Sequence, residues 1–133
     1  MGNVSLVIVS HSRKLAEGLV QIAAQMAGST VHIVAAAGLA EELGTSATAI
    51  VNELQECPED SPILLFFDLG SAYMNCQMAL ELAPPSVRHR AAIVDAPLVE
   101  GIISAAVAAS MGQSQADVIA AAQEAYQIRK VSD

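Results

Sequence analysis

Aromatic side chains are nearly missing from this chain: its 133 residues include two Tyr, two Phe and no Trp. A core without large rings must be closed by small and β-branched residues, which points to helices packed closely on a sheet. Positive charge is also scarce, with 6 Lys plus Arg against 14 Asp plus Glu and a net charge of -8. That balance excludes sequence-independent nucleic-acid binding, which needs a clustered positive surface, and suits no anionic membrane. A basic surface on a partner protein fits better. Cysteine is limited to Cys57 and Cys76, too few for a disulfide framework or a metal site, and both are expected as buried reduced thiols. No apolar run reaches the roughly 18 residues of a membrane-spanning helix, and the N-terminus shows no cleavable leader pattern. The expectation is a soluble, cytoplasmic protein. What the chain has in quantity is apolar residues, 53% against 15% charged, which excludes disorder and allows a proper core. The length suits a single domain over residues 1–133.

Strand and helix patterns alternate along the chain. Residues 4–9 form a continuous apolar run, the mark of a strand buried on both faces. Leu15, Leu19, Ile22 and Met26 follow at helical spacing, and Gly28 with Ser29 closes that helix. A second strand is read over 31–37, then a loop over 39–44. Thr45 or Ser46 is the expected cap of a helix through Ala49, Ile50 and Leu54. Residues 63–67 are the most apolar strand, followed by a helix through Leu82 that Pro84 and Pro85 terminate. A fourth strand is read over 87–94, and Pro97 opens a helix through Met111. Ser114 and Asp117 resemble a capping box before a last helix to about Tyr126. Residues 127–133 are expected to fray or to add an antiparallel edge strand. The fold class is therefore α/β: an open, mostly parallel sheet with helices on both faces, taken in the common strand order 2-1-3-4.

In such a sheet, ligands bind beyond the carboxyl ends of the strands where strand order reverses, here between the first and third. Ser10, His11 and Ser12 follow the first strand, and Asp68, Leu69, Gly70 and Ser71 follow the third. A histidine and an aspartate should therefore face each other. A carboxylate bonded to one imidazole nitrogen fixes the tautomer and makes the other nitrogen more nucleophilic. The turn Gly70, Ser71 and Ala72 can offer backbone N–H groups to an anion, and the helix after His11 points its positive end the same way. This is the chemistry of phosphoryl transfer through phosphohistidine. Arg13 and Lys14 break a local rule, since cations are disfavoured in a first helical turn. A nearby phosphate or acidic partner would offset that cost, while two solvated side chains explain them equally well. His11 itself could be a turn histidine without chemistry. His32 is expected as a satisfied core or edge histidine, and His89 has no carboxylate near it in sequence. Asp95 either lines the crevice or caps the next helix.

The run from Leu6 to Ser12, with His11, resembles the start of the phosphotransferase subunit of the phosphoenolpyruvate-dependent dihydroxyacetone kinases. Three further blocks agree in order: Gly44, Thr45 and Ser46; Asp68 to Ala72; and Ala96 to Gly101. The wider relatives are the mannose-type enzyme IIA domains of the sugar phosphotransferase system. The resemblance implies that fold, and a relay in which the phosphocarrier HPr phosphorylates His11. His11 would then pass the phosphoryl group to ADP held on the nucleotide-binding kinase subunit. It implies Asp68 as the support of the histidine and Gly70, Ser71 and Ala72 as the phosphoryl cradle; Ser10, Ser12, Arg13 and Lys14, beside His11 in sequence, are candidate supporting residues. It also implies a homodimer, no metal and no cofactor of its own, with ADP or ATP on the partner. Residues 38–44 depart from the glycine- and aspartate-rich stretch of relatives, which bears on the choice of acceptor. An alternative acceptor is a IIB domain of a sugar transporter. Another alternative is a regulatory module gated by phosphorylation of His11. A receiver-type domain phosphorylated on Asp68 is disfavoured, because Ser10, His11 and Ser12 stand where an acidic pair would hold Mg²⁺.

Overall fold

The computed structural model describes residues 2–36 and 46–132. The expectations for Ala37, the loop over 38–44 and a cap at Thr45 lie outside the described residues. Four strands, β1 (Ser5–Val9), β2 (Ile33–Ala35), β3 (Ile63–Phe67) and β4 (Ala91–Ile93), form one sheet of order β2-β1-β3-β4. All three pairings are parallel, and Val7 of central β1 stands opposite both Val34 and Leu65. This is the common strand order, the one assumed for the alternating pattern. Among the described residues, six helices connect and cover the strands: α1 (Arg13–Ala27), α2 (Ala47–Glu56), α3 (Gly70–Leu82), α4 (Pro85–Arg88), α5 (Leu98–Ser110) and α6 (Gln115–Gln123).

The side-chain alternation of the central strands divides the core in two. Leu6, Ile8, Leu64 and Phe66 point to one face, where α1, α5 and α6 close it with alanines such as Ala16, Ala23, Ala105 and Ala109. Val7, Val9, Ile63 and Leu65 point to the other, under α2 and α3. With both faces of β1 covered, a continuous apolar run is what the strand needs. Both cysteines are buried and unpaired, Cys57 beyond α2 and Cys76 within α3. Burial pushes the thiol of Cys76 up to about 12, helped by the negative charge of Asp68, and burial likewise raises that of Cys57. Neither is a nucleophile at neutral pH.

Several local expectations are corrected. On α1 the buried residues are Ala16, Leu19, Ala23 and Ala27, whereas Leu15, Ile22 and Met26 are 42%, 50% and 52% exposed. Alanine faces inward because α1 lies close against the alanine-lined side of α5. The fourth strand begins only at Ala91. Residues 85–88 form a helical turn with Pro85 in its first position, and Arg88 donates to the carbonyls of Leu80 and Ala83 at the end of α3. Pro97 is the cap of α5 rather than its first residue. The last helix gives way to a 3-10 turn over Glu124–Gln127, and no edge strand follows among the described residues. His32 precedes β2, and its buried Nε2 has no hydrogen-bond partner among the described residues, against the expectation of a satisfied histidine. The caps at Ser46 and Ser114 are as read, accepting from the N–H groups of Ala49 and Asp117.

Candidate active site

The carboxyl ends of β1 and β3 are adjacent, with Val9 opposite Phe67, so the residues that follow meet across the crevice. Asp68 is bound from four directions. Its Oδ2 accepts from the Ser10 hydroxyl and from the His11 backbone N–H, both at 2.9 Å. Its Oδ1 accepts from the Leu69 N–H at 2.7 Å and lies 2.9 Å from His11 Nδ1. Burial alone would raise the Asp68 carboxyl, but the hydrogen bonds from His11, Ser10 and Leu69 outweigh it and hold it below the ordinary value. Asp68 is thus a carboxylate, an acceptor only, and Nδ1 of His11 must carry the proton.

That assignment leaves the lone pair on Nε2. It points to the Ser71 hydroxyl, with Oγ 2.5 Å away, and Ser71 is then the donor. Sequence reasoning assigned Ser71 only a backbone role. This side-chain bond has no signal in residue spacing, because it depends on how two loops from distant strands abut. His11 is 26% exposed and Asp68 13%, so the base is shielded while the nucleophilic nitrogen can be reached.

The two helices at the crevice begin differently. On α1, the Ser12 side chain accepts from the Leu15 N–H at 3.2 Å, and Ser10 Oγ accepts from the Ser12 N–H at 3.0 Å. Its own serines thus take the N–H groups of Ser12 and Leu15 at the start of α1. On α3 the cap residue is Leu69, which has no side-chain acceptor, and the N–H groups of Gly70 and Ser71 sit where no intrahelical carbonyl can reach them. Of the three expected cradle residues, Ala72 is committed elsewhere: its N–H reaches the Leu69 carbonyl at 3.0 Å, and its side chain is buried. Two amides and one hydroxyl remain, the hydroxyl at Nε2, and all three are donors suited to phosphoryl oxygens.

Arg13 and Lys14 are exposed in the first turn of α1. Arg13 lies 3.8 Å from Glu17 one turn on, which relieves part of its cost against the helix dipole. Asp95 does not cap α5; it lines a cleft with Phe67, Gly70, Tyr73 and Ile93, and its Oδ1 accepts from the Tyr126 hydroxyl at 2.5 Å. In the block from Ala96 to Gly101 the glycine is needed for packing, since a Cβ there would stand 2.9 Å from that of Ala96. No group of three or more metal-ligating side chains occurs among the described residues, and no described helix is long and apolar enough to cross a membrane.

The chain as a whole has counterparts among known proteins. Residues 5–119 match the family described as "PTS system fructose IIA component", and the chain belongs to this mannose-type enzyme IIA family. Within it, the chain is similar to phosphoryl donor subunits named DhaM of PEP-dependent dihydroxyacetone kinases. It is 38% identical to one from Listeria innocua over 87% of this chain and 94% of that protein. It is 39% identical to one from Providencia stuartii and 35% identical to one from Escherichia coli, each over 96% of this chain. In those two it spans only 28% of the relative's length. Among solved structures, a protein of unknown function, EF1359, superposes with a TM-score of 0.84 at 29% identity, covering 92% of this chain and 94% of that one. A mannose/sorbose-specific IIA subunit from Enterococcus faecalis shares the fold, with a TM-score of 0.60 at 19% identity and 98% of each chain covered.

Proposed function

We propose that the chain is the phosphohistidine relay of a PEP-dependent dihydroxyacetone kinase. In this reading HPr delivers the phosphoryl group to Nε2 of His11, and ADP held on the nucleotide-binding kinase subunit receives it. The carrying observation is the Asp68 carboxylate on Nδ1, which leaves Nε2 as the single nucleophilic nitrogen of the ring. The Nε2 lone pair attacks phosphorus as the phosphorus–nitrogen bond to the donor breaks. No proton leaves His11, so the phosphorylated ring carries positive charge, which Asp68 stabilises 2.9 Å from Nδ1. Ser71 releases Nε2 and turns its hydroxyl to a phosphoryl oxygen, joining the N–H groups of Gly70 and Ser71. In the second step a β-phosphate oxygen of ADP attacks the same phosphorus, the Nε2–P bond breaks, and neutral imidazole is restored. Asp68 and His11 are the catalytic pair, Ser71 and Gly70 hold the phosphoryl group, and Ser10 orients Asp68. Ser12, Arg13 and Lys14 are supporting neighbours, and the active form is a homodimer.

Purified protein incubated with phosphoenolpyruvate, enzyme I and HPr should take up one acid-labile phosphoryl group, and His11→Ala should abolish it. Label surviving in that variant would refute the site. Mixing the phosphoprotein with the kinase nucleotide subunit and ADP should form ATP. Discharge to a sugar-transporter IIB domain instead, with no ATP formed, would refute the kinase assignment.

A further inference from the structure

In the resting site the Ser71 hydroxyl lies on the nucleophilic nitrogen itself, with Oγ 2.5 Å from His11 Nε2. The other ring nitrogen, Nδ1, stands 2.9 Å from the Asp68 carboxylate. A hydroxyl, an imidazole and a carboxylate bonded in series is the arrangement that activates a serine as a nucleophile, and geometry rather than chain order defines it. The proton positions are already set. Asp68 only accepts, so Nδ1 carries a proton, and the Nε2 lone pair receives the hydrogen bond from Ser71.

The surroundings of Ser71 suit the rest of that chemistry. Ser71 is the second residue of α3, so its own N–H and that of Gly70 have no intrahelical acceptor. The side chain of the cap residue, Leu69, takes neither. Amides of this kind stabilise the negative oxygen of a tetrahedral acyl intermediate. Ser71 is exposed, whereas Ala72 behind it is buried, so small molecules reach the hydroxyl from solvent. Leu69 and Met74 are 60% and 66% exposed, and Met74 lies one turn along α3 from Ser71, on the same face. They offer apolar surface to a short acyl chain. Both cysteines are buried and do not compete as nucleophiles.

The geometry points to a second activity at this site: hydrolysis of small carboxylic esters with a short apolar acyl group, with Ser71 as nucleophile and His11 as its general base. Nε2 takes the hydroxyl proton as Ser71 Oγ attacks the carbonyl carbon. The ester C–O bond then breaks, and the imidazolium gives that proton to the leaving alcohol. Water attacks the acyl group on Ser71 in the same way. Its proton passes through Nε2 to Ser71 Oγ, and the carboxylic acid is released. Asp68 holds the ring throughout, as it does in phosphoryl transfer. The inference stands on three side chains and goes beyond the relay reading. Both reactions draw on one lone pair, so a phosphoryl group on Nε2 silences the ester chemistry.

The probe is p-nitrophenyl acetate. Wild-type protein should release nitrophenolate and, after acid quenching and digestion, carry an acetyl group on Ser71. Ser71→Ala, a change at an exposed position, should lose both the acetyl group and most of the release. His11→Ala, with an unchanged circular dichroism spectrum, should slow acetylation of Ser71 by about a hundredfold or more. Protein phosphorylated on His11 should not be acetylated at Ser71. Release that continues undiminished in Ser71→Ala would mean that the imidazole reacts alone and would overturn the proposal. Acetylation of Ser71 at the wild-type rate in His11→Ala or in the phosphoprotein would overturn it too. Failure of HPr to phosphorylate His11 would strike the relay reading instead, while the ester assay on the unphosphorylated protein still decides this one.

Discussion

Helices α1 and α3 both start at the crevice, both follow a central strand, and both aim their positive ends at it. Their first turns are nevertheless capped differently. Helix α1 begins Ser10, His11, Ser12, and its serine side chains take the N–H groups of Ser12 and Leu15. Helix α3 begins Asp68, Leu69, Gly70, Ser71, with a cap residue whose side chain can accept nothing. Leaving a helix uncapped costs roughly 0.5–2 kcal/mol. The difference teaches a division of labour: serine side chains brace the backbone that carries the nucleophile, while the side chain of the cap residue bonds nothing in the first turn of α3.

The comparison can be broken from either side. The largest effect short of removing His11 is expected from Asp68→Ala, which frees Nδ1 and the His11 backbone together. Single-turnover phosphorylation should slow by about 10²–10⁴-fold. Next comes Leu69→Ser, which supplies α3 with the cap it lacks. It should slow phosphoryl transfer by about tenfold while stabilising the fold by roughly 0.5–2 kcal/mol in urea titrations. Loss of stability with unchanged transfer would remove the argument for a purposely open helix end. Ser12→Ala should do the reverse, costing about 1 kcal/mol of stability and changing transfer less than twofold. A smaller signature lies in pH. The Asp68 carboxyl is lowered by its hydrogen bonds despite burial, so its contribution is complete above the unfolded value of about 3.9 and is lost as pH falls through the lower folded one. The stability difference between wild type and Asp68→Asn should therefore stay constant from about pH 7 to pH 5 and shrink only below about pH 4.

Much of this was legible in the chain. Alternation points to a parallel α/β sheet, and the common strand order, assumed for it, brings His11 to Asp68 across a separation of 57 residues. What stayed hidden has physical causes. Hydrophobicity ranks Leu15, Ile22 and Met26 above alanine, yet α1 turns alanines inward because close packing against α5 rewards small volume over apolar area. Arg88 and Arg90 read as interruptions of a strand. In fact they bind carbonyls at the end of α3 and around Pro58 and Ser61, and the strand starts only after them. The Ser71–His11 and Tyr126–Asp95 bonds depend on side-chain rotamers and loop approach, which no periodicity encodes. The uncapped start of α3 was in plain view, since leucine at a cap position is a poor choice. Its meaning emerged only beside the serine-capped α1.

The central claim is that Asp68 holds the proton of His11 on Nδ1 and so assigns chemistry to Nε2. ¹⁵N NMR of the histidine ring before and after phosphorylation by HPr tests it most directly. The account predicts an Nδ1–H tautomer in the free protein and a phosphorus-coupled Nε2 in the phosphoprotein, with Nδ1 still protonated. A phosphoryl group on Nδ1 would contradict it.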